Sequence, residues 1–125
     1  MSIHRAIIFF VLLFAFAGIS AAMAADVVLS RQGKASYYAN SLHGRKTASG
    51  EMYDRNQFTA AHRKFDFGTR VRVTNLLNRQ TVQVTINDRG PFVHSREIDL
   101  SYAAARELGL VKRGVAPVRI DVLKH

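Results

Sequence analysis

The sequence contains no cysteine, and this absence limits what can stabilise the chain. Its 125 residues also lack tryptophan, include only two prolines, and carry nine acidic residues against 18 basic ones. Without thiols, neither disulfide bonds nor a lipid-modified N-terminal cysteine is available. We therefore expect stability to come from a packed core.

Long hydrophobic runs are also missing, except near the N-terminus. Ala6–Ile19 is unbroken and apolar, and it is preceded by Arg5 and followed by small residues at Ala21–Ala25. This order is typical of a secretory signal, and the run is short for a membrane span. We predict a signal peptide at residues 1–24, a linker at 25–32 and one domain at 33–125, released as a soluble periplasmic protein. A retained N-terminal anchor is the alternative.

Acidic residues are scarce, so the domain has a strong positive charge. The predicted signal removes one arginine and no acid, which leaves 17 − 9 = +8. Such a charge attracts polyanions. Inside a cell the first candidate is nucleic acid, but export points instead to cell-wall glycan, whose peptides carry carboxylates, or to an anionic membrane face. Solubility alone is the alternative explanation.

Three segments alternate apolar and polar residues with the period of two that is typical of half-buried strands. The apolar positions are Val71 and Val73, then Val82, Val84 and Ile86, and then Val118, Ile120 and Val122. We expect the first two segments to form a hairpin in which Asn78 takes the left-handed conformation. Further strands at "KASYYA" and "FTAAH" bring the number to at least five.

One helix interrupts the strands. Ser101 is a good N-cap, and Gly109 is a good terminator. Leu100, Ala104 and Leu108 share one face. Many short strands with one short helix favour a small closed or nearly closed β-barrel, because closure removes exposed sheet edges. No repeat or Pro-rich stretch divides the chain, so we predict a single, mainly β domain.

Three polar segments contain candidate functional residues. Residues 43–54 form a loop longer than a turn requires, and its Glu51 is either a site residue or a surface charge. His62 follows small residues and is either a satisfied core histidine or a donor to a carboxylate. Asp88 ends a strand just before Gly90 and Pro91. It either belongs to a site or only caps its own turn, with Arg89 as its ion-pair partner.

The segments "GKASYYA", "HGRKTASGEMYD", "TAAHRKFDFGTRVRVTN", "VTINDRGPF", "REIDLSYAAARELGL" and "VRIDVL" together resemble the rare lipoprotein A family of septal-ring lytic transglycosylases. The resemblance covers essentially the whole predicted domain. It implies a six-stranded double-psi β-barrel with one or two short helices, as in expansins. It also implies that Glu51, His62 and Asp88 form one catalytic site. Neither the family's acylated cysteine nor its C-terminal glycan-binding repeat is recognisable, which puts septal targeting in doubt.

The implied activity is endolytic cleavage of the MurNAc–GlcNAc strands of peptidoglycan, with a preference for strands stripped of their peptides. The attacking group is the sugar's own 6-hydroxyl, so one carboxylic acid can suffice. We assign that role to Asp88, with Glu51 as the alternative acid or as a charge stabiliser, and with His62 tuning both. We predict substrate contacts at Tyr37, Tyr38, His43, Lys46, Thr47, Asn87 and Arg89. Tyr37 and Tyr38 face opposite sides of a strand, so only one can stack on a sugar.

Other functional classes fit the sequence less well. The main alternative is a non-catalytic, expansin-like glycan-binding protein that uses the same groove. A metal hydrolase is disfavoured because the histidines lack a His-x-x-x-His spacing, and a serine hydrolase because no Gly-x-Ser-x-Gly elbow occurs. We predict no metal, no cofactor and no nucleic-acid partner. We also predict a monomer with weak attraction to anionic membrane or wall polymers.

Overall fold

Six strands close into a barrel in the computed structural model, which describes residues 26–125. The strands are β1 (Val27–Tyr37), β2 (Thr59–His62), β3 (Arg70–Asn75), β4 (Thr81–Asp88), β5 (Ile98–Leu100) and β6 (Ala116–Leu123). A 3₁₀ turn (Asn40–Leu42) follows β1, and the helix α1 (Tyr102–Glu107) follows β5. The predicted signal peptide at residues 1–24 lies outside the described residues.

The order of strands around the barrel is β1-β5-β2-β4-β3-β6. The pairs β1–β5 and β2–β4 are parallel, and the other four pairs are antiparallel. The alternating apolar residues of three strands fill the interior, as their period of two predicted. These buried residues are Val71, Val73, Val82, Val84, Ile86, Val118 and Ile120.

Two strands differ from the sequence-based prediction, β1 in where it begins and β5 in that it was missed. The predicted linker at 25–32 is wrong from Val27 onward, because β1 begins there and pairs with β6. Most side chains at this end of β1 are exposed, so the segment has no alternating pattern to reveal it. The strand β5 was not identified from periodicity, because three residues are too few to show a period.

The hairpin between β3 and β4 forms as predicted, but its left-handed residue is Arg79, with φ 67°, and not Asn78. The side chain of Asn78 is used otherwise. Its Oδ1 accepts the Gln80 N–H at 2.8 Å, and its Nδ2 donates to the Leu108 carbonyl at 3.1 Å. Asn78 therefore fastens the hairpin turn to the end of α1.

The predicted helix is confirmed. The Ser101 hydroxyl caps α1 by accepting the Ala104 N–H at 3.3 Å, and Gly109 follows the helix with φ 72°. Leu100, Ala104 and Leu108 are all fully buried. Within residues 26–125 no helix is long and apolar enough to cross a membrane.

A buried carboxylate joins three strands at the barrel wall and yields a stability prediction. Asp121 accepts a 2.5 Å hydrogen bond from Ser30, and Arg72 and Arg119 each contact its Oδ2 at 3.3 Å. Burial raises the pKa of Asp121, but these donors and charges outweigh burial and hold that pKa below its ordinary value.

We expect Asp121→Asn to lower the free energy of unfolding by about 1–2 kcal/mol in urea titrations. The exposed control Asp66→Asn should change it little, and equal effects of both would contradict this role.

Candidate active site

The candidate site lies on the outer face of four neighbouring strands. Ala61 of β2 pairs with Asp88 of β4 on one side and with Asp99 of β5 on the other, and Asp99 pairs with Ser36 of β1. Paired residues of adjacent strands project to the same face of a sheet. The preceding row faces the core, because its Ala60, Ile86 and Leu100 belong to the core cluster, whereas Ala61 does not. The sheet therefore presents two aspartates outward, on either side of a small residue.

A bulge in β4 brings Asp88 into this row. Ile86 pairs with Ala60, but the next residue of β2, Ala61, pairs with Asp88 and leaves Asn87 as an extra residue. Strict alternation would put Asp88 on the same face as Ile86, inside the barrel. The bulge turns the carboxylate outward instead, which is a common use of bulges at functional sites.

An open trough of about 470 Å³ runs over this row. It is lined by Tyr37, Tyr38, Ala39, Leu42, Ala61, Asp88, Arg89, Gly90, Pro91, Phe92, Val93, Arg96 and Asp99. Another concavity, of about 520 Å³, lies against α1. It contains none of the predicted site residues, so the trough at Asp88 is the candidate active site.

The Asp88 carboxylate is fixed by three donors. Its Oδ1 accepts the N–H groups of Ala48 at 2.8 Å and of Arg89 at 2.9 Å, and its Oδ2 accepts the Tyr38 hydroxyl. Asp88 thus caps its own turn and also anchors the loop 43–54. Because the two amides engage only Oδ1, Oδ2 is the oxygen whose single partner is a rotatable hydroxyl.

The two adjacent tyrosines face opposite sides, as predicted. The Tyr37 hydroxyl donates to the Val111 carbonyl at 2.9 Å, and its ring packs against the core. Tyr38 lines the trough and stacks on Tyr53 with ring centroids 4.3 Å apart. Burial first, and then the hydrogen bond and negative charge of Asp88, raise the pKa of Tyr38 far above its usual range. Tyr38 therefore keeps its proton and donates a hydrogen bond to Asp88.

Glu51 is exposed on the loop that contacts Asp88, but it does not line the trough. Among residues 26–125, its carboxylate accepts a single hydrogen bond, from the Ser49 hydroxyl at 3.3 Å. Its carbonyl accepts both the N–H and the hydroxyl of the buried Thr47 at 2.7 Å. These bonds shape the tip of the loop, from which Ala48 reaches Asp88.

His62 is not brought to Asp88 or Glu51 by a side-chain contact. Its ring is 1% exposed and stacks on Phe65, and its Nε2 lies 2.7 Å from Glu97 Oε2. Its Nδ1 accepts two backbone N–H groups at 3.1 and 3.2 Å, so the proton of the neutral ring is on Nε2 and is donated to Glu97. In the described part of the chain, no hydrogen bond joins this ring to either predicted catalytic carboxylate.

Arg89 connects the Asp88 turn to the segment that follows His62, because its side chain hydrogen-bonds backbone carbonyls of that segment. Its guanidinium donates to the carbonyls of His62 at 3.2 Å and Phe65 at 2.8 Å, and it lies 4.0 Å from the centre of the Phe67 ring. It does not form an ion pair with Asp88. The segment after His62 therefore supports the residue that follows Asp88.

The other predicted contact residues surround the trough without lining it. His43 is exposed, and its Nδ1 accepts the Arg55 N–H at 3.1 Å. Lys46 is exposed on the same loop, opposite Met52. Thr47 and Asn87 are buried, and the Asn87 carbonyl accepts the Ser49 N–H at 3.3 Å. These residues act on the loop 43–54, and their contact with a substrate stays a prediction.

Several trough residues were not singled out from the sequence. They are Leu42, Phe92, Val93, Arg96 and Asp99. Phe92 is 85% exposed and follows Gly90 and Pro91, so an aromatic residue in a turn was a usable signal. Asp99 lies in the three-residue strand β5 and gave no such signal.

The buried His62 yields a pH prediction. Burial lowers its pKa, and the Arg31 and Arg63 charges lower it further, although the hydrogen bond to Glu97 acts in the opposite direction. A lowered folded-state pKa means that the stabilising contribution is complete above the unfolded value of about 6.5 and is lost as pH falls through the folded pKa. We expect the urea midpoint to fall between pH 7 and pH 5.

The matched variants for that measurement are His62→Gln and His94→Gln. His62→Gln should flatten the pH dependence, because it removes the imidazole whose protonation destabilises the folded state. His94 is exposed, so His94→Gln should leave the slope unchanged. An unaltered slope in His62→Gln would contradict the assignment.

The closed six-stranded barrel, with its two parallel and four antiparallel pairs, makes the chain a double-psi β-barrel protein. Its outer trough carries an aspartate that is set in place by a bulge. The family model described as "Lytic transglycolase" matches residues 30–120, and the chain belongs to this family.

Curated relatives agree with this assignment. The chain is 55% identical over 103 residues to the "Probable endolytic peptidoglycan transglycosylase RlpA" of a Nostoc species, in an alignment that covers 81% of this chain and 28% of the relative. It is 54% identical over 93 residues to the "Endolytic peptidoglycan transglycosylase RlpA" of Haemophilus influenzae, covering 74% of this chain and 32% of the relative. The chain thus spans about a third of the length of these relatives.

Solved structures share the fold. The Streptomyces papain inhibitor is similar with a TM-score of 0.64 and 25% identity, over 78% of this chain and 97% of the inhibitor. A Clavibacter michiganensis expansin variant, solved in complex with cellohexaose, has a TM-score of 0.61 and 20% identity, over 77% of this chain and 51% of the expansin. The expansin likeness is evidence for the fold alone.

Proposed function

We propose that this protein is an endolytic lytic transglycosylase that cleaves peptidoglycan glycan strands and leaves 1,6-anhydromuramyl ends. The observation that carries the proposal is the Asp88 carboxylate, which is anchored by three donors at the wall of an open trough. Membership of the family and the names of relatives more than half identical support the same reaction.

The proposed reaction needs one acid in the trough. A protonated Asp88 gives its proton from Oδ2 to the glycosidic oxygen, and the bond from that oxygen to C1 of the muramyl sugar breaks. The 6-hydroxyl oxygen of the same sugar then bonds to C1, and its proton passes to a carboxylate in the trough, so that the enzyme ends with as many protons as it began with. The nucleophile belongs to the substrate, so its attack carries little entropic cost. The Tyr38 hydroxyl can rotate to donate to the Asp88 anion as it forms.

The apolar rim of the trough suits a sugar ring. Phe92 exposes most of its ring, and Leu42 and Val93 are exposed beside it on the trough wall. Aromatic faces pack against the apolar face of a pyranose, while Asp88 and the Arg96 guanidinium offer polar contacts to its hydroxyls. The protein as a whole is basic, which favours approach to a wall that carries carboxylates.

Glu51 and His62 enter the proposal in supporting roles. Glu51 shapes the loop whose Ala48 amide binds Asp88, and its exposed carboxylate can approach a bound glycan from that loop. The carbonyl of His62 accepts a hydrogen bond from the Arg89 guanidinium, so His62 supports the residue next to Asp88. We assign both residues to positioning Asp88, and we keep Glu51 as the alternative acid.

The remaining elements of the proposal concern location and partners. We propose a periplasmic protein, exported by the segment at residues 1–24, that acts as a monomer on strands stripped of stem peptides. It requires no metal or cofactor in this scheme. Its positive charge gives it a weak attraction to anionic wall polymers or membrane.

The test is a digest of peptide-stripped glycan strands with purified residues 25–125, followed by mass spectrometry of the products. We expect fragments that end in 1,6-anhydromuramyl groups, at masses one water lower than hydrolysis products. Reducing ends without the anhydro bond would replace this proposal with hydrolysis, and no new ends between pH 4 and 8 would contradict catalysis.

A non-catalytic, expansin-like glycan binder is the second candidate. One observation favours it: the side chain of His62, which the resemblance places in the catalytic site, hydrogen-bonds Glu97 and not Asp88. This candidate predicts binding to glycan strands with no anhydro product, so the same digest separates the two.

A further inference from the structure

The trough contains a second aspartate, which the proposed reaction does not use. The side chain of Asp99 projects from β5 on the same face of the sheet as the side chain of Asp88 projects from β4. Both residues pair with Ala61 of β2, the strand between them. Two strand spacings separate their Cα atoms by about 10 Å. Both side chains line the trough, on opposite sides of the small Ala61.

The two carboxylates differ in how many hydrogen bonds the protein gives them. Both oxygens of Asp88 are engaged, one by two backbone amides and the other by Tyr38. Asp99 accepts a 2.5 Å bond from the Ser36 hydroxyl on Oδ1, and Arg96 lies 3.9 Å from that same oxygen. Within residues 26–125, Oδ2 of Asp99 receives no hydrogen bond. Asp99 thus retains a free acceptor in the trough.

The donors around Asp99 fix its orientation. Ser36, which pairs with Asp99 in β1, donates to Asp99 and accepts a 2.7 Å bond from the Arg96 guanidinium. With Oδ1 tied to Ser36, the side chain is turned so that Oδ2 is the oxygen without a partner. Its side chain is 21% exposed, so the group is accessible but held by neighbours.

We propose that Asp99 is a second catalytic carboxylate, which accepts the proton of the attacking 6-hydroxyl on Oδ2. This inference rests on the proposed function. Asp88 gives its proton to the leaving oxygen as the C1–O bond breaks, and the new bond from the 6-oxygen to C1 releases a proton to Asp99. Solvent then returns one proton from Asp99 to Asp88, so the enzyme is unchanged overall. The two tasks are thereby divided between the two sides of the trough.

The division follows from what surrounds Asp88 after it has given up its proton. Tyr38 then donates to the freed Oδ2, and both amides still engage Oδ1. The new anion is satisfied by the protein, which favours proton donation but leaves less capacity to accept the 6-hydroxyl proton. The free oxygen of Asp99 supplies that acceptor across the trough.

The experiment measures anhydromuramyl ends from stripped glycan strands with the wild type, Asp99→Ala and Asp66→Asn, each with and without formate. We expect Asp99→Ala to lose about 10²–10⁴-fold in rate, the usual contribution of a general base. Formate, a small carboxylate, should raise the rate of Asp99→Ala at least tenfold, because it can occupy the space left by the side chain. The exposed Asp66→Asn should match the wild type and gain nothing from formate.

The outcomes separate the two proposals. A wild type that makes no anhydro ends overturns the proposed function, and this inference with it. An active wild type with an unimpaired Asp99→Ala overturns only the role of Asp99. The same holds if formate restores nothing, because a purely structural aspartate would not be replaced by a free anion. Asp99→Asn keeps an acceptor for Ser36 and is the second variant if Asp99→Ala does not fold, and an unchanged rate in it overturns the inference.

Discussion

Asp88→Asn should reduce the formation of 1,6-anhydromuramyl ends by about 10²–10⁴-fold, the range that a general acid contributes. The amide is nearly the same size as the carboxyl group and still offers an oxygen to the Ala48 and Arg89 amides, so the turn should keep its shape. What the variant loses is the proton that the leaving oxygen needs. Binding of stripped strands, measured by calorimetry, should stay within about threefold of the wild type.

A substrate that does not need protonation provides the control for Asp88. With a nitrophenol leaving group on the muramyl sugar, Asp88→Asn should regain most of its rate, because nitrophenolate departs without an acid. Asp99→Asn should stay slow on the same substrate, because the 6-hydroxyl still has to lose its proton. Undiminished cleavage of natural strands by Asp88→Asn would remove Asp88 from the mechanism and leave Glu51 as the acid.

Most of the barrel could be predicted from local pattern. The alternation in β3, β4 and β6 is strong because each strand has one face in a dry core and the other in water. The helix was predictable from its cap and its terminator. By contrast, β5 is too short to have a period, and the first half of β1 is exposed on both faces, so neither strand left a pattern to detect.

The position of Asp88 shows where pattern alone is insufficient. Counted by alternation from Ile86, Asp88 belongs inside the barrel. Only the bulge at Asn87, which exists through pairing with β2, turns it outward. The bulge depends on the pairing of residues that are 26 and 27 positions apart, Ala60 with Ile86 and Ala61 with Asp88, so no window along one strand contains the information. The family resemblance singled out Asp88, but not the backbone device that presents it.

His62 illustrates the opposite limit. The residue pattern left a core histidine and a carboxylate partner as separate alternatives, and the structure combines them: the ring is buried and donates to Glu97. Glu97 is distant in sequence, and Arg31 and Arg63 lie 3.5 and 3.8 Å from it. Which carboxylate a histidine meets is decided by strand order, and strand order was the part of the fold that periodicity did not specify.

Ala61→Leu should weaken both the binding and the cleavage of glycan strands. Ala61 is only 2% exposed, but it lies outside the core cluster, at the floor of the trough between Asp88 and Asp99. The added atoms of leucine would therefore extend into the space that a sugar ring needs. Forcing a ligand against such bulk costs about 1–3 kcal/mol, which corresponds to roughly 5–150-fold weaker binding of stripped strands. Turnover should fall at least as much, because the sugar is displaced from both carboxylates.

The preceding residue of β2 is the matched control. Ala60 is fully buried and faces the core, so Ala60→Leu overpacks the barrel and should lower the free energy of unfolding by about 1–3 kcal/mol. Its folded fraction should bind and cleave glycan nearly as well as the wild type. Two adjacent alanines with the same substitution would then separate stability from function, because one points into the barrel and the other into the trough. Normal binding by Ala61→Leu would mean that the glycan does not occupy the trough between the two aspartates.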